Sequence, residues 1–168
     1  MNKKLLLFAF PILLLLVACT MTNTPTSKVE DLFTKYQTLD NDIDSAIESI
    51  LDEQNLSSTR KDRYRMILEK QYKNLTYQIK DEIIDGNTAT VITEIEVLDL
   101  KKSIDNLTYD NNLYPTKDEY DEEKLNRLEQ AKDKVKYTLE LTLTKDDNSN
   151  WTLNALTNED IKKIQGMY

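Results

Sequence analysis

The sequence predicts an α+β domain: N-terminal helices packed on a curved antiparallel sheet of about four strands, with a helical insertion between two hairpins. Three observations carry that expectation. Apolar residues recur at three- and four-residue steps between 29 and 72, the period of helices with one buried face. From 75 onward the period falls to two, the mark of half-buried strands. Asp85-Gly86-Asn87 and Asp146-Asp147-Asn148 interrupt that alternation as hairpin turns do. Helices first and strands after is the α+β order.

Ahead of the domain stands an address. Residues 1–4 supply two lysines, and residues 5–18 are fourteen apolar positions ending at a small one. A membrane span needs about 20, so the segment reads as a secretory signal. Leu16-Val17-Ala18-Cys19 resembles a bacterial lipobox, and Cys19 is the sole cysteine. Signals of this kind are cut before the cysteine, whose sulfur then carries diacylglycerol. Two acyl chains suffice for stable membrane attachment. The expected organisation is therefore a signal peptide over 1–18, a lipidated tether over 19–26 and one domain over 27–168. The tether, polar and carrying Pro25, would reach roughly 25 Å when extended.

Composition bounds the chemistry. Without its signal the chain keeps 20 basic against 30 acidic side chains, which repels nucleic acid and anionic lipid alike. Histidine is absent. With Cys19 acylated, no Ser-His-Asp triad, Cys-His nucleophile or ordinary zinc site can be assembled. No cofactor and no metal is expected. Asp40-Asn41-Asp42-Ile43-Asp44 opens like a calcium loop, but Ser45 stands where such loops need glycine and Leu51 where they need glutamate.

The elements follow in order. Ser27 and Glu30 fit a capping box. Val29, Leu32, Phe33, Tyr36, Leu39, Ile43, Ile47, Ile50 and Leu51 then make one apolar face, either as one helix or as two divided near Asp40. A further helix over 58–73 buries Tyr64, Ile67, Leu68 and Tyr72. Arg60, Lys61, Arg63 and Arg65 crowd its N-terminus, where the macrodipole disfavours cations, so either a partner's anionic surface or, as the favoured reading, nearby acids such as Asp52 and Glu53 should offset them.

Two strands that both bury odd positions must pair odd with odd. The first hairpin should then use the three-residue loop Ile84-Asp85-Gly86, pairing Ile79 with Val91. The second should use Asp146-Asp147-Asn148, with Asn148 left-handed and Leu143 opposite Trp151. Between the hairpins, residues 99–106 suggest a short helix, and Thr116 with Glu119 caps a peripheral helix reaching about 133. A last turn through Ile161 and Ile164 should stop at Gly166.

Several stretches resemble a known group: Val29-Glu30 with Tyr36-Gln37-Thr38-Leu39-Asp40, Gln71-Tyr72-Lys73-Asn74-Leu75-Thr76-Tyr77, Asp85-Gly86-Asn87-Thr88-Ala89-Thr90-Val91, Trp151 to Leu156 and Ile164-Gln165-Gly166-Met167-Tyr168. They look like uncharacterised lipoproteins of low-GC Gram-positive bacteria assigned a nuclear-transport-factor-2-like (cystatin-like) cone. The resemblance implies that cone for residues 29–168 and transfers no catalytic residue. Within such a cone, Tyr36, Tyr72, Tyr77, Asp81, Thr93, Tyr137 and Trp151 are the candidates for a pocket, although aromatics at core spacing are more often core. The leading expectation is a non-enzymatic binding module on the extracytoplasmic face of the cell membrane, held by the diacylglyceryl group on Cys19 and meeting an envelope protein or small ligand. The alternative is an isomerase or hydrolase using Asp81 as a pocket carboxylate.

Overall fold

The computed structural model describes residues 23–54 and 56–168, so the signal segment, the lipobox and Cys19 lie outside the described residues. Three helices, α1 (Pro25–Thr38), α2 (Asn41–Glu53) and α3 (Ser58–Lys73), precede strands β1 (Thr76–Asp85) and β2 (Thr88–Leu98). Helices α4 (Leu100–Ile104) and α5 (Lys117–Gln130) form the insertion. Strands β3 (Lys134–Lys145) and β4 (Trp151–Leu153) and helix α6 (Asn158–Ile164) complete the chain. The strands make one antiparallel sheet in the order β1-β2-β3-β4. This is the expected α+β class, helices on one face of a four-stranded sheet.

The first helix starts earlier than its sequence suggests. Thr24 Oγ1 accepts from Ser27 N at 3.1 Å and Ser27 Oγ accepts from Thr24 N at 3.0 Å, a capping box one turn ahead of the expected Ser27–Glu30 pair. Pro25 at the first helical position explains the shift, since its fixed φ is already helical. Residues 23–26, read as tether, are therefore folded. Asn23 donates to Ser149 O at 2.9 Å and accepts from Trp151 N at 2.9 Å, and Thr26 donates its N–H and hydroxyl to the Glu82 carboxylate at 2.9 and 2.7 Å. The long apolar run is two helices. Leu39 takes a left-handed conformation (φ 51°) that ends α1, and Asp40 accepts from Asp42 N and Ile43 N to start α2.

The main core lies between this helical layer and the sheet. Val29, Phe33 and Tyr36 of α1, Ile47 and Leu51 of α2, and Leu68 and Tyr72 of α3 pack with Val91, Ile95, Leu139, Leu141 and Leu143. A smaller cluster of Ile67, Leu98, Leu100, Leu125, Leu128 and Ala131 fastens the insertion to the sheet end where β2 finishes and β3 begins. The other sheet face carries charge, with Lys80 and Lys136 on Glu94 and Lys134 on Glu96.

Both hairpins depart from their expected loops. The first closes through a two-residue turn, Gly86-Asn87, with Asp85 opposite Thr88 and Gly86 at φ 57°. Glycine at the first central position with positive φ suits the primed turns that match strand twist. An even loop alone would pair odd with even along both strands, yet Tyr77 faces Ile95 and Ile79 faces Thr93. The register shift between Ile79 and Asp81 reconciles the two, because a bulge at Lys80 adds one residue and exchanges the faces beyond it. Past the bulge Glu82 pairs with Val91 and Ile84 with Ala89, while Asp81 and Ile83 turn away. In the second hairpin Leu143 pairs with Leu153 and Lys145 with Trp151, across a five-residue connection. Asp146 organises that connection by accepting from Asn148 N and Asn150 N, and the left-handed residue is Ser149 (φ 65°) in place of Asn148.

The C-terminus is locked in as expected and more tightly. Gly166 (φ 66°) ends α6 with Gly166 N donating to Lys163 O and Met167 N to Lys162 O, the paired bonds of a Schellman motif. Gln71 of α3 is fully buried beside it. Its amide accepts from Leu98 N at 3.0 Å and donates to Leu98 O at 3.1 Å and Ile164 O at 3.3 Å. Pairing of β1 with β2 begins at Thr76 and Glu96, so the Gln71 side chain extends the sheet by one peptide-like unit past it.

Candidate functional site

The seven pocket candidates are not gathered around a cavity. Tyr36 and Tyr72 are buried and meet edge to face at 5.0 Å between ring centroids, filling the space between α1 and α3. Burial raises both hydroxyl pKa values above the ordinary tyrosine range. Tyr77, half-buried, stacks on Phe33 at 4.7 Å. Tyr137 donates to the backbone oxygen of Tyr168 at 3.1 Å. Trp151 is buried with Lys145 Nζ 5.4 Å from its ring centroid, at the opposite end of the sheet from Tyr137. Asp81 is exposed, and its carboxylate accepts from Glu82 N at 2.9 Å, closing the bulge on itself.

Thr93 also points into the core, as a polar side chain among apolar ones. It is 0% exposed, and its Oγ1 has no hydrogen-bond partner among the described residues. A desolvated hydroxyl with nothing to bond is a cost without compensation. Thr93→Val, which keeps the shape, should raise stability by about 1 kcal/mol, read from the urea midpoint. No change or a loss would mean that the hydroxyl is satisfied in solution.

The insertion holds a depression of about 610 Å³, which sequence reasoning did not single out. Residues 106–114 form its rim and Arg127 of α5 contributes from the side. Tyr120 meets Tyr109 at 5.5 Å and Tyr114 at 5.6 Å, both edge to face. Arg127 is oriented by Glu123 and by the side chain of Asn106, each at 2.7 Å. Leu113 is 70% exposed on the rim. Chemically this is an open cup of tyrosine rings, asparagines, the Asp110 carboxylate and the Arg127 guanidinium. The sequence signal was there, as Leu107, Tyr109, Leu113 and Tyr114 sit in a loop without periodicity and so without a core to join.

The basic cluster of α3 is neutralised from within, mainly by α5. Arg60 bonds Asp118 at 2.8 Å and Glu122 at 2.7 Å, and Arg63 bonds Glu122 at 2.6 Å and Glu129 at 2.7 Å. Lys61 takes Asp52 as expected, at 2.7 Å, and Arg65 takes Asp44 and Glu48. Hydrogen bonds from Arg60 and then Arg63 hold the Glu122 carboxyl below its usual range, and Arg63 does the same for Glu129. Depressed carboxyl values stabilise the fold above the unfolded pKa of about 4.3, a contribution lost as pH falls through the folded value. Urea midpoints should therefore drop below about pH 4.3, and Arg63→Met should flatten that drop. Both carboxylates are partly exposed, so the effect should shrink in high salt.

The calcium-like stretch is dispersed among other tasks. Asp40 caps α2, Asp42 pairs with Lys35 at 3.1 Å and Asp44 pairs with Arg65. Among the described residues no group of acids is placed to hold a metal ion, and no helix is long and apolar enough to cross a membrane.

No protein-family model matches the chain, and no curated protein matches it. Among solved structures it is similar to a "putative lipoprotein (ycdA) from Bacillus subtilis subsp. subtilis str. 168", with 19% sequence identity and a TM-score of 0.43 over 77% of this chain and 46% of that one. The chain thus spans about half the length of that protein.

Proposed function

We propose that the chain is a lipid-anchored extracytoplasmic binding module of the nuclear-transport-factor-2-like kind, non-enzymatic, tied to the membrane by diacylglycerol on Cys19. One observation carries the choice of binding over catalysis: the space between the helices and the sheet is occupied by Phe33, Tyr36, Tyr72 and Leu139, all buried. A carboxylate working as general base needs a pocket, and Asp81 stands outside on the bulge. Binding then belongs to the insertion end, where the tyrosine cup and Arg127 are open to a small ligand or an envelope protein.

The anchor is tested in cells. Metabolic labelling with a clickable fatty acid should mark the wild-type chain, and Cys19→Ala should abolish the label and leave the uncleaved or released protein. Equal labelling of Cys19→Ala would end the lipoprotein reading.

A further inference from the structure

We infer that the tip of the first hairpin, Ile83 and Ile84, rests in the bilayer interface and fixes the orientation of the domain on the membrane. The inference depends on the lipid anchor proposed above. Four observations meet at one end of the molecule. Asn23, four residues beyond Cys19, is pinned to Ser149 O and Trp151 N. Four peptide units span at most about 14 Å, so an acylated Cys19 holds this end against the membrane. The hairpin tip lies at the same end, since Lys145 N donates to Asn87 O and Thr26 bonds Glu82. Ile83 and Ile84 are 53% and 54% exposed.

Strand alternation puts these neighbours on opposite faces, and the bulge at Lys80 sets Ile84 with Ala89 and Ile83 away from it, yet neither finds cover. The tip therefore shows apolar surface on both sides. A contact between tethered surfaces is intramolecular, so a weak one suffices to set orientation while the acyl chains supply the affinity.

The charge around the tip selects the lipid. Glu82 is occupied by Thr26, Asp146 by the amides of its own turn and Asp81 by Glu82 N, and Asp85 and Asp147 are exposed beside them. Zwitterionic surfaces should accept the tip and anionic ones should repel it. With the tip down, β2 carries the chain away from the membrane over its 11 residues, and the insertion becomes the outermost part.

The test uses the full chain, lipidated in a bacterial host and reconstituted in phosphatidylcholine vesicles containing nitroxide-labelled lipid. A polarity-sensitive fluorophore is attached in turn through Ile83→Cys, Ile84→Cys, Asp147→Cys and Leu113→Cys, the native sulfur being blocked by acylation. Quenching at 83 and 84 should exceed that at 113 by at least about twofold, with 147 between, and should fall when phosphatidylglycerol is added. With acylated Cys19 confirmed by mass, equal quenching at 84 and 113, or at 84 and 147, would overturn the docking alone. An unmodified Cys19 and protein absent from the vesicles would overturn the anchor and the docking together.

Discussion

Gly166→Ala should lower the unfolding free energy by about 2 to 5 kcal/mol, far more than a single methyl group ordinarily costs. Two penalties add at this position. The backbone sits at φ 66°, which costs an L-residue about 1 to 2 kcal/mol. A Cβ built there would stand 2.0 Å from Leu98 O and 2.5 Å from Gln71 Nε2. The first is backbone in the end of β2 and the second is a buried amide held by three hydrogen bonds, so neither retreats cheaply. Gly86 separates the two penalties, because it has φ 57° with nothing within 4 Å of the added carbon. Gly86→Ala should therefore show the backbone cost alone. Urea unfolding of both variants decides the matter, and equal losses would refute the steric half of the argument.

Gln71→Leu should cost about 3 kcal/mol although it preserves volume and adds apolar surface. Leu98 N loses its acceptor, and Leu98 O and Ile164 O lose a donor, all in a place that water does not reach. Buried backbone groups left unpaired carry most of that penalty. Gln71→Glu sharpens the test. Its carboxylate would still accept from Leu98 N but would face two carbonyl oxygens, so the variant should recover stability as pH falls and the acid protonates. A pH-independent loss would mean that shape alone is being read there.

How much of this was legible depended on which interactions are local. Period suffices for α3 and the strands, and the Thr116–Glu119 box marks α5, because helix phase and strand alternation are written within a few neighbours. The break at Leu39 was visible only as the polar run Asp40-Asn41-Asp42, compatible with one helix or two. The first hairpin misled for a stated reason. Odd-with-odd pairing is correct near Tyr77 and Ile95, and the inference that the loop must be odd assumed an unbroken ladder. Lys80 breaks it, and nothing about a lysine in a strand announces a bulge. Gln71 was invisible for a different reason, since a polar residue on a helix reads as solvent-facing until the ends of β2 and α6 are known to converge on it. The tyrosine cup lay in a loop without periodicity, where pattern is silent and only the aromatic residues themselves gave notice.

The bulge at Lys80 has a further consequence for how the molecule keeps to itself. Strand β1 lies on the sheet's rim, and over its 10 residues it would otherwise offer an unbroken row of amide and carbonyl groups to any extended chain. The extra residue throws that row out of step halfway along, where Lys80, Asp81 and Glu82 place charge on both sides. One misaligned residue thus guards the open edge against stacking with another extended chain.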